Sequence, residues 1–158
     1  MPGFKGQAEY SIDEKGRVAL PAKMRRAVAP EAKETFVVTR GFEQCVFLYP
    51  LDRWEEMEDE FRKLNAYQRE ARDFVRTIVR WADESTLDGQ GRISMPKGLL
   101  EFAGLASGGK ALIIGALDHI EVWDPATFDR YLNEQPEDYE TVAERVMGGN
   151  GPAAPSPN

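Results

Sequence analysis

Apolar and polar residues alternate along the first fifty positions in a way that predicts short strands separated by turns. One strand ends near Ser11-Ile12, and the polar pentad Asp13-Glu14-Lys15-Gly16-Arg17 follows it. Val18 and Leu20 then fall on one face of a second strand. Pro21 fits the first turn of a short helix running to about Val28, because the missing N–H does no harm there. Phe36-Val37-Val38 and Val46-Phe47-Leu48 read as two more strands, with Gly41 in the turn between them. Beyond Pro50 the period lengthens. Trp54, Met57, Phe61 and Leu64 are spaced i, i+3, i+7, i+10, and Tyr67, Ala71, Phe74, Ile78 and Trp81 continue the stripe, which predicts helices. Such a stripe either buries against the β unit or turns part of its length to a neighbouring subunit.

The unit is written twice. Asp88-Gly89-Gln90-Gly91-Arg92 echoes the first pentad 75 residues on. The same offset pairs Val18 with Ile93, Leu20 with Met95, Pro21 with Pro96, Met24 with Leu99, Val38 with Ile113 and Pro50 with Pro125, without a gap. The second copy therefore predicts a strand ending at Thr86-Leu87, a strand through Ile93 and Met95, and a helix to about Ala103 stopped by Gly104. Strands through Leu112-Ile113-Ile114 and 120–123 follow, then a helix with Asp124 as its cap and Pro125 in its first turn. A four-strand unit of this size cannot bury both of its faces, so two copies on one chain should share a core. The expected fold is α+β: two tandem β-β-α-β-β halves, 4–80 with a helical extension and 81–147, forming one pseudo-twofold β-barrel with flanking helices. Residues 148–158 contain only Gly, Pro, Ala, Ser and Asn and read as a disordered tail.

Composition removes several classes of function. A single cysteine, Cys45, excludes an internal disulfide and reads as a buried strand thiol. No run approaches the ~20 apolar residues that cross a bilayer, and no apolar stretch follows Lys5, so no membrane partner and a cytoplasmic location are expected. The net charge of −7 argues against nucleic acid as a total but not as a layout. Residues 1–40 and 61–80 carry an excess of Lys and Arg, whereas 41–60 and 111–158 are acidic. Phosphate attraction acts within about 10 Å, so a basic face can coexist with acidic helices.

Catalytic signals are poor. Residues 104–110 match the spacing G-x-x-x-x-G-K, yet Ala111 stands where a phosphate loop needs Ser or Thr, and the segment runs from helix to strand. His119 is the only histidine, with no cysteine cluster to complete a metal site. Glu55, Glu56, Glu58, Asp59 and Glu60 read as the solvated side of a helix. The chain is expected not to be an enzyme and to need no cofactor or metal.

The two pentads remain. Asp13 and Asp88 should shape the loops, with Gly16 and Gly91 supplying the positive φ of a tight bend. In one reading the loops do no more, and Arg17 and Arg92 simply pair with nearby carboxylates. In the other they bind DNA, since two Arg side chains on related surfaces, with Lys15, Lys23 and Arg25 near the first, suit phosphates and guanine edges.

At these residues the chain resembles the MraZ family, a branch of the SpoVT-AbrB swapped-hairpin superfamily. The likeness is carried by Phe4-x-Gly6, Ile12-Asp13-x-Lys15-Gly16-Arg17 and Leu20-Pro21-x-x-Met24-Arg25 in the first half. In the second half it is carried by Asp88-x-Gln90-Gly91-Arg92-Ile93, Met95-Pro96, Ala103-Gly104-Leu105 and Ile120-Glu121-Val122-Trp123. The resemblance implies two AbrB-like halves in a swapped-hairpin barrel. It also implies assembly into a ring, commonly an octamer, and transcriptional regulation, typically repression, of the division and cell-wall gene cluster. The promoter target is double-stranded DNA with short G-rich direct repeats, which makes a nucleoid association expected. The DNA-contacting loops map to 13–17 and 88–92, and Gln90 in place of Lys15 leaves the second loop less basic. The competing class is a ring-shaped scaffold whose loops hold acidic protein partners.

Overall fold

The computed structural model describes residues 3–149. The chain divides into two units, Met1–Thr127 and Phe128–Asn158, and all strands lie in the first. Its elements are β1 (Gln7–Ser11), β2 (Arg17–Ala19), α1 (Ala22–Arg26), a 3-10 turn (Pro30–Ala32), β3 (Thr35–Arg40) and β4 (Val46–Pro50). Two helices follow, α2 (Leu51–Arg62) and α3 (Arg69–Arg80). The second copy supplies β5 (Asp83–Thr86), β6 (Arg92–Ser94), α4 (Lys97–Ala103), β7 (Lys110–Gly115), β8 (Ile120–Trp123) and α5 (Pro125–Asn133). The offset of 75 maps β2 onto β6 and β3 onto β7 residue for residue.

The halves interleave. A six-stranded antiparallel sheet has the order β1-β7-β8-β4-β3-β5, and β2 pairs with β6 in a separate ribbon. Only β3 with β4 and β7 with β8 pair within one half. Strand β1 pairs with β7, β3 with β5, β4 with β8 and β2 with β6, each across the halves. The alternation seen in the sequence sets the faces. Val18, Leu20, Ile93 and Met95 turn inward with Phe36, Val38, Leu48, Ile113 and Ile120 into one core. That apolar core is the main stabilising term, at roughly 25 cal/mol per Å² removed from water.

The prolines and the helix ends differ from expectation by small, explicable amounts. Pro21 and Pro96 stand just before the first helical residue, with extended ψ of 141° and 147°, rather than inside the first turn. Helix α1 stops at Arg26, short of Val28, because Pro30 holds Ala29 in an extended conformation with ψ 149°. Gly104 is left-handed at φ 70° and ends α4, and Asp124 accepts bonds from the backbone and hydroxyl of Thr127 as a helix cap. On α2 and α3 the apolar stripe divides. Trp54 and Ile78 are buried, Phe61 joins the two helices by edge contact with Phe74, and Leu64, Tyr67 and Val79 stay exposed. The buried Thr39 hydroxyl donates to the Ile78 carbonyl at 2.8 Å and ties α3 to the sheet.

In the second unit, α6 (Tyr139–Met147) begins at Asp138, whose carboxylate accepts from the Thr141 N–H at 2.8 Å. None of its residues is buried. From residue 150 onward the expected tail lies outside the described residues. Among the described residues no helix is long and apolar enough to cross a membrane.

The chain start is stitched to the β7–β8 turn. Phe4 and Leu117 exchange two backbone bonds of 2.8 Å, and Gly115 donates to the Gly6 carbonyl. A Cβ on Gly115 would lie 2.3 Å from the Lys5 nitrogen and 2.6 Å from the Phe4 carbonyl carbon. Both neighbours are main chain, so the collision forces the strand apart. Gly115→Ala should therefore cost about 1–3 kcal/mol in urea unfolding, and an unchanged midpoint would show that this stitch is absent in solution.

Candidate nucleic-acid interface

Each pentad folds on its own aspartate. Asp13 Oδ1 accepts from the N–H of Lys15 at 3.0 Å and of Arg17 at 2.8 Å, while Oδ2 accepts from Arg17 Nε at 2.7 Å. Asp88 repeats the pattern with Gln90 at 2.9 Å, Arg92 at 2.9 Å and Arg92 Nε at 2.8 Å. Gly16 and Gly91 bring the chain round at φ 77° and 72°. The backbone N–H of the arginine is the largest cause holding each carboxyl below the usual range, helped by the guanidinium, and Asp88 is lowered to about 2.

The antiparallel ribbon sets the two loops at its opposite ends, with Arg17 opposite Ser94 and Arg92 opposite Ala19, so that the two arginines lie diagonally on one face. Val18 opposes Ile93, and Arg17 and Arg92 flank that pair. Leu20 donates to the Gly91 carbonyl at 3.1 Å, and Met95 donates to the Gly16 carbonyl at 3.0 Å. Arg92 Nη1 reaches Asp13 Oδ2 of the opposite loop at 3.6 Å. Both arginines pair with carboxylates, as the structural reading expects. Each does so mainly through Nε, which fixes the guanidinium plane, and both arginine side chains are partly buried.

The remaining cations named from the sequence do not all gather here. Lys15 is exposed on the first loop. Lys23 lies over Gly6, where a Cβ would come within 2.6 Å of its Nζ. That places its ammonium at the far end of β1 from the first loop, a strand length of roughly 17 Å. Arg25 crosses to the second half and lies on Gly91. The sequence reading placed it beside the first loop, since chain proximity concealed the crossing.

The other candidate chemistry is spent structurally. In residues 104–110, the Gly108 N–H donates to the Ile12 carbonyl, the Gly109 N–H donates to Ala106, and Lys110 Nζ donates to the Ser11 hydroxyl. These amides are turned to the chain itself. The Cys45 thiol is buried, and burial pushes it far above its ordinary range, so it stays protonated. His119 belongs to a cluster that sequence reasoning missed. Its Nδ1 meets Asp118 at 2.9 Å, its Nε2 meets Glu121 at 3.0 Å, and its ring packs on Phe47 and Tyr49. The signal was available, because residues i and i+2 of a strand share a face. Burial opposes charge on His119, but the hydrogen bonds to Glu121 and Asp118 outweigh it and raise the pKa above 6.5. Burial likewise opposes ionisation of Asp118 and Glu121, and the bonds from His119 hold both below their ordinary values.

The sign of each shift sets the window. The carboxylates stabilise the fold above about pH 4.5 and lose that contribution as the pH falls. The imidazolium contributes fully below pH 6.5 and loses its part as the pH rises past its raised pKa. The stability difference between the native chain and His119→Gln should be largest near pH 5–6 and shrink by pH 9. A difference that ignores pH in thermal melts would contradict the ion pairing.

Comparison with known proteins agrees with the duplicated architecture. A family model described as "MraZ protein, putative antitoxin-like" matches twice, over residues 4–77 and 78–150. A protein of Natranaerobius thermophilus named "Transcriptional regulator MraZ" is 36% identical over 144 residues, which span 91% of this chain and 96% of that protein. With two tandem matches across residues 4–150 and a relative aligned over nearly its whole length, this chain belongs to the MraZ family.

Proposed function

We propose that this chain is a sequence-specific DNA-binding transcriptional regulator. It acts as a repressor of the division and cell-wall gene cluster, on G-rich promoter repeats. The observation that carries this reading is the pair of Asp-braced arginines set diagonally on one face of the β2–β6 ribbon. Guanine presents O6 and N7 as adjacent acceptors in the major groove, and a guanidinium with its plane already fixed loses little freedom in meeting them. Arg17 and Arg92 are the principal contacts, Lys15 extends the first loop toward phosphate, and Lys23 and Arg25 add positive charge outside the loop tips. Asp13, Gly16, Asp88 and Gly91 act by shaping the loops.

The interleaved strands support a pseudo-twofold swapped-hairpin barrel in which β2 and β6 close the curled sheet. The two halves are 4–80 and 81–147. A ring of copies, an octamer in the family pattern, would present several loop pairs to several repeats and multiply affinity through effective concentration by roughly 10²–10⁴. Leu64, Tyr67 and Val79 on the helical extension are among the exposed apolar residues available for contacts between subunits. The protein works in the cytoplasm, on the nucleoid.

Arg17→Ala should lose promoter binding in a mobility-shift assay, since each good contact carries about 1–3 kcal/mol and the loss repeats in every subunit. Its oligomer should survive in sedimentation. Unaltered binding would remove Arg17 from the interface. Retention of a protein partner after nuclease treatment, with no shift of promoter DNA by the native chain, would favour the scaffold instead.

A further inference from the structure

A hollow of about 440 Å³ lies where the chain start and the β7–β8 turn meet the first turn of α2. Phe4, Ala27, Ala29, Pro50 and Leu117 give it apolar walls, and Asp52, Arg53, Glu56 and Asp118 complete the lining. The walls are fixed. Phe4 and Leu117 hold each other by two backbone bonds of 2.8 Å, and Pro50 is buried at the end of β4. The repeat shows why there is room. The residue 75 positions beyond Ala27 is Phe102, whose ring packs on Trp81 at 6.3 Å and beneath the Arg40 guanidinium at 4.3 Å. One half thus has a methyl group where the other places an aromatic ring.

The charges of the hollow are unequally matched. Arg53 is taken, its Nε pairing with Asp118 Oδ2 at 3.3 Å and its Nη1 with Glu56 Oε2 at 3.7 Å. Asp118 meets His119 Nδ1 through its other oxygen at 2.9 Å. Asp52, the second residue of α2, has no such partner among the described residues, and its Oδ1 is closed to water as well. A carboxylate that is partly desolvated and met by no donor favours a cation, and apolar walls favour a hydrocarbon. An anion would meet three carboxylates and a guanidinium that is already paired.

We propose that this hollow binds a small organic ammonium ion with an apolar body. The Asp52 carboxylate accepts hydrogen bonds from the ammonium group, while Phe4, Ala27, Pro50 and Leu117 cover the hydrocarbon. No residue of the two Asp-x-x-Gly-Arg loops lines the hollow, and the site does not depend on the DNA-binding reading.

The test is a saturation-transfer NMR titration of the full chain with 2-phenylethylamine, an ammonium ion at neutral pH. Binding should saturate with a Kd of about 1 mM, the scale for a ligand of this size. The neutral 2-phenylethanol should bind about tenfold more weakly, because it forgoes the charge-assisted bond. Phenylacetate should not bind. Asp52→Asn should erase the preference for the amine over the alcohol, and Ala27→Phe, which installs the ring of the other copy, should exclude both. The preference of the native chain needs no variant and decides the matter if Asp52→Asn does not fold. No transfer below about 10 mM amine overturns the proposal. So does an amine that binds no better than the alcohol, a preference that outlives Asp52→Asn, or a signal that Ala27→Phe leaves intact. A changed sedimentation of Ala27→Phe would assign the hollow to a neighbouring copy and overturn the small-molecule site.

Discussion

The pairing of β2 with β6 is the constraint on which the rest depends. Val18 and Ile93 oppose each other on this ribbon, and both are completely buried. A slip of one residue would turn both side chains out of the core and drag the flanking arginines with them. The core therefore sets the loop geometry, and only the glycine of each loop is packed against a neighbour, Leu100 on Gly16 and Arg25 on Gly91. Within each loop an aspartate gathers the amides and a glycine makes the bend. Short loops held this way stay accessible while their bases are rigid, which suits contact with a large partner.

The same arrangement lets an acidic chain keep cationic tips. Asp13 and Asp88 are drawn into their loops and remain ionised, so they orient the arginines at the cost of partly neutralising them. What the loops offer is oriented donors more than bulk charge. The His119 cluster, on β8 and its turn, uses the opposite device, setting an imidazole between two carboxylates against aromatic rings. Both are local solutions, and neither is visible in the net charge.

Much of the fold was legible because the chain states it twice. The strand positions, the Gly104 stop, the Asp124 cap and the Asp-x-x-Gly-Arg bends all follow from local chemistry, which acts within a few residues. What could not be read was partnership. Alternation tells which face of a strand is buried and is silent about its neighbour, so β1 could not be matched to β7, or β3 to β5. For the same reason Lys23 and Arg25 looked like companions of the first loop. One instead covers Gly6 and the other Gly91. The repeat held a clue to Arg25, in that its counterpart Leu100 is a core residue. A charge at an otherwise buried register position signals that something nearby is being reached. The helical stripes were half legible, since periodicity marks an apolar face without saying how much of it the sheet has room to cover.

The interleaving also dictates when the protein can come into being. Gln7 waits for Ile114, and Val18 waits for Ile93. As the chain leaves the ribosome, only the β3–β4 hairpin and the helices after it can settle, while β1 and β2 stay unmatched until the second copy emerges. Such long-range closure is slow. The order of synthesis thus makes folding a late, all-together event, and an early-truncated product lacks every partner from which the loop platform is assembled.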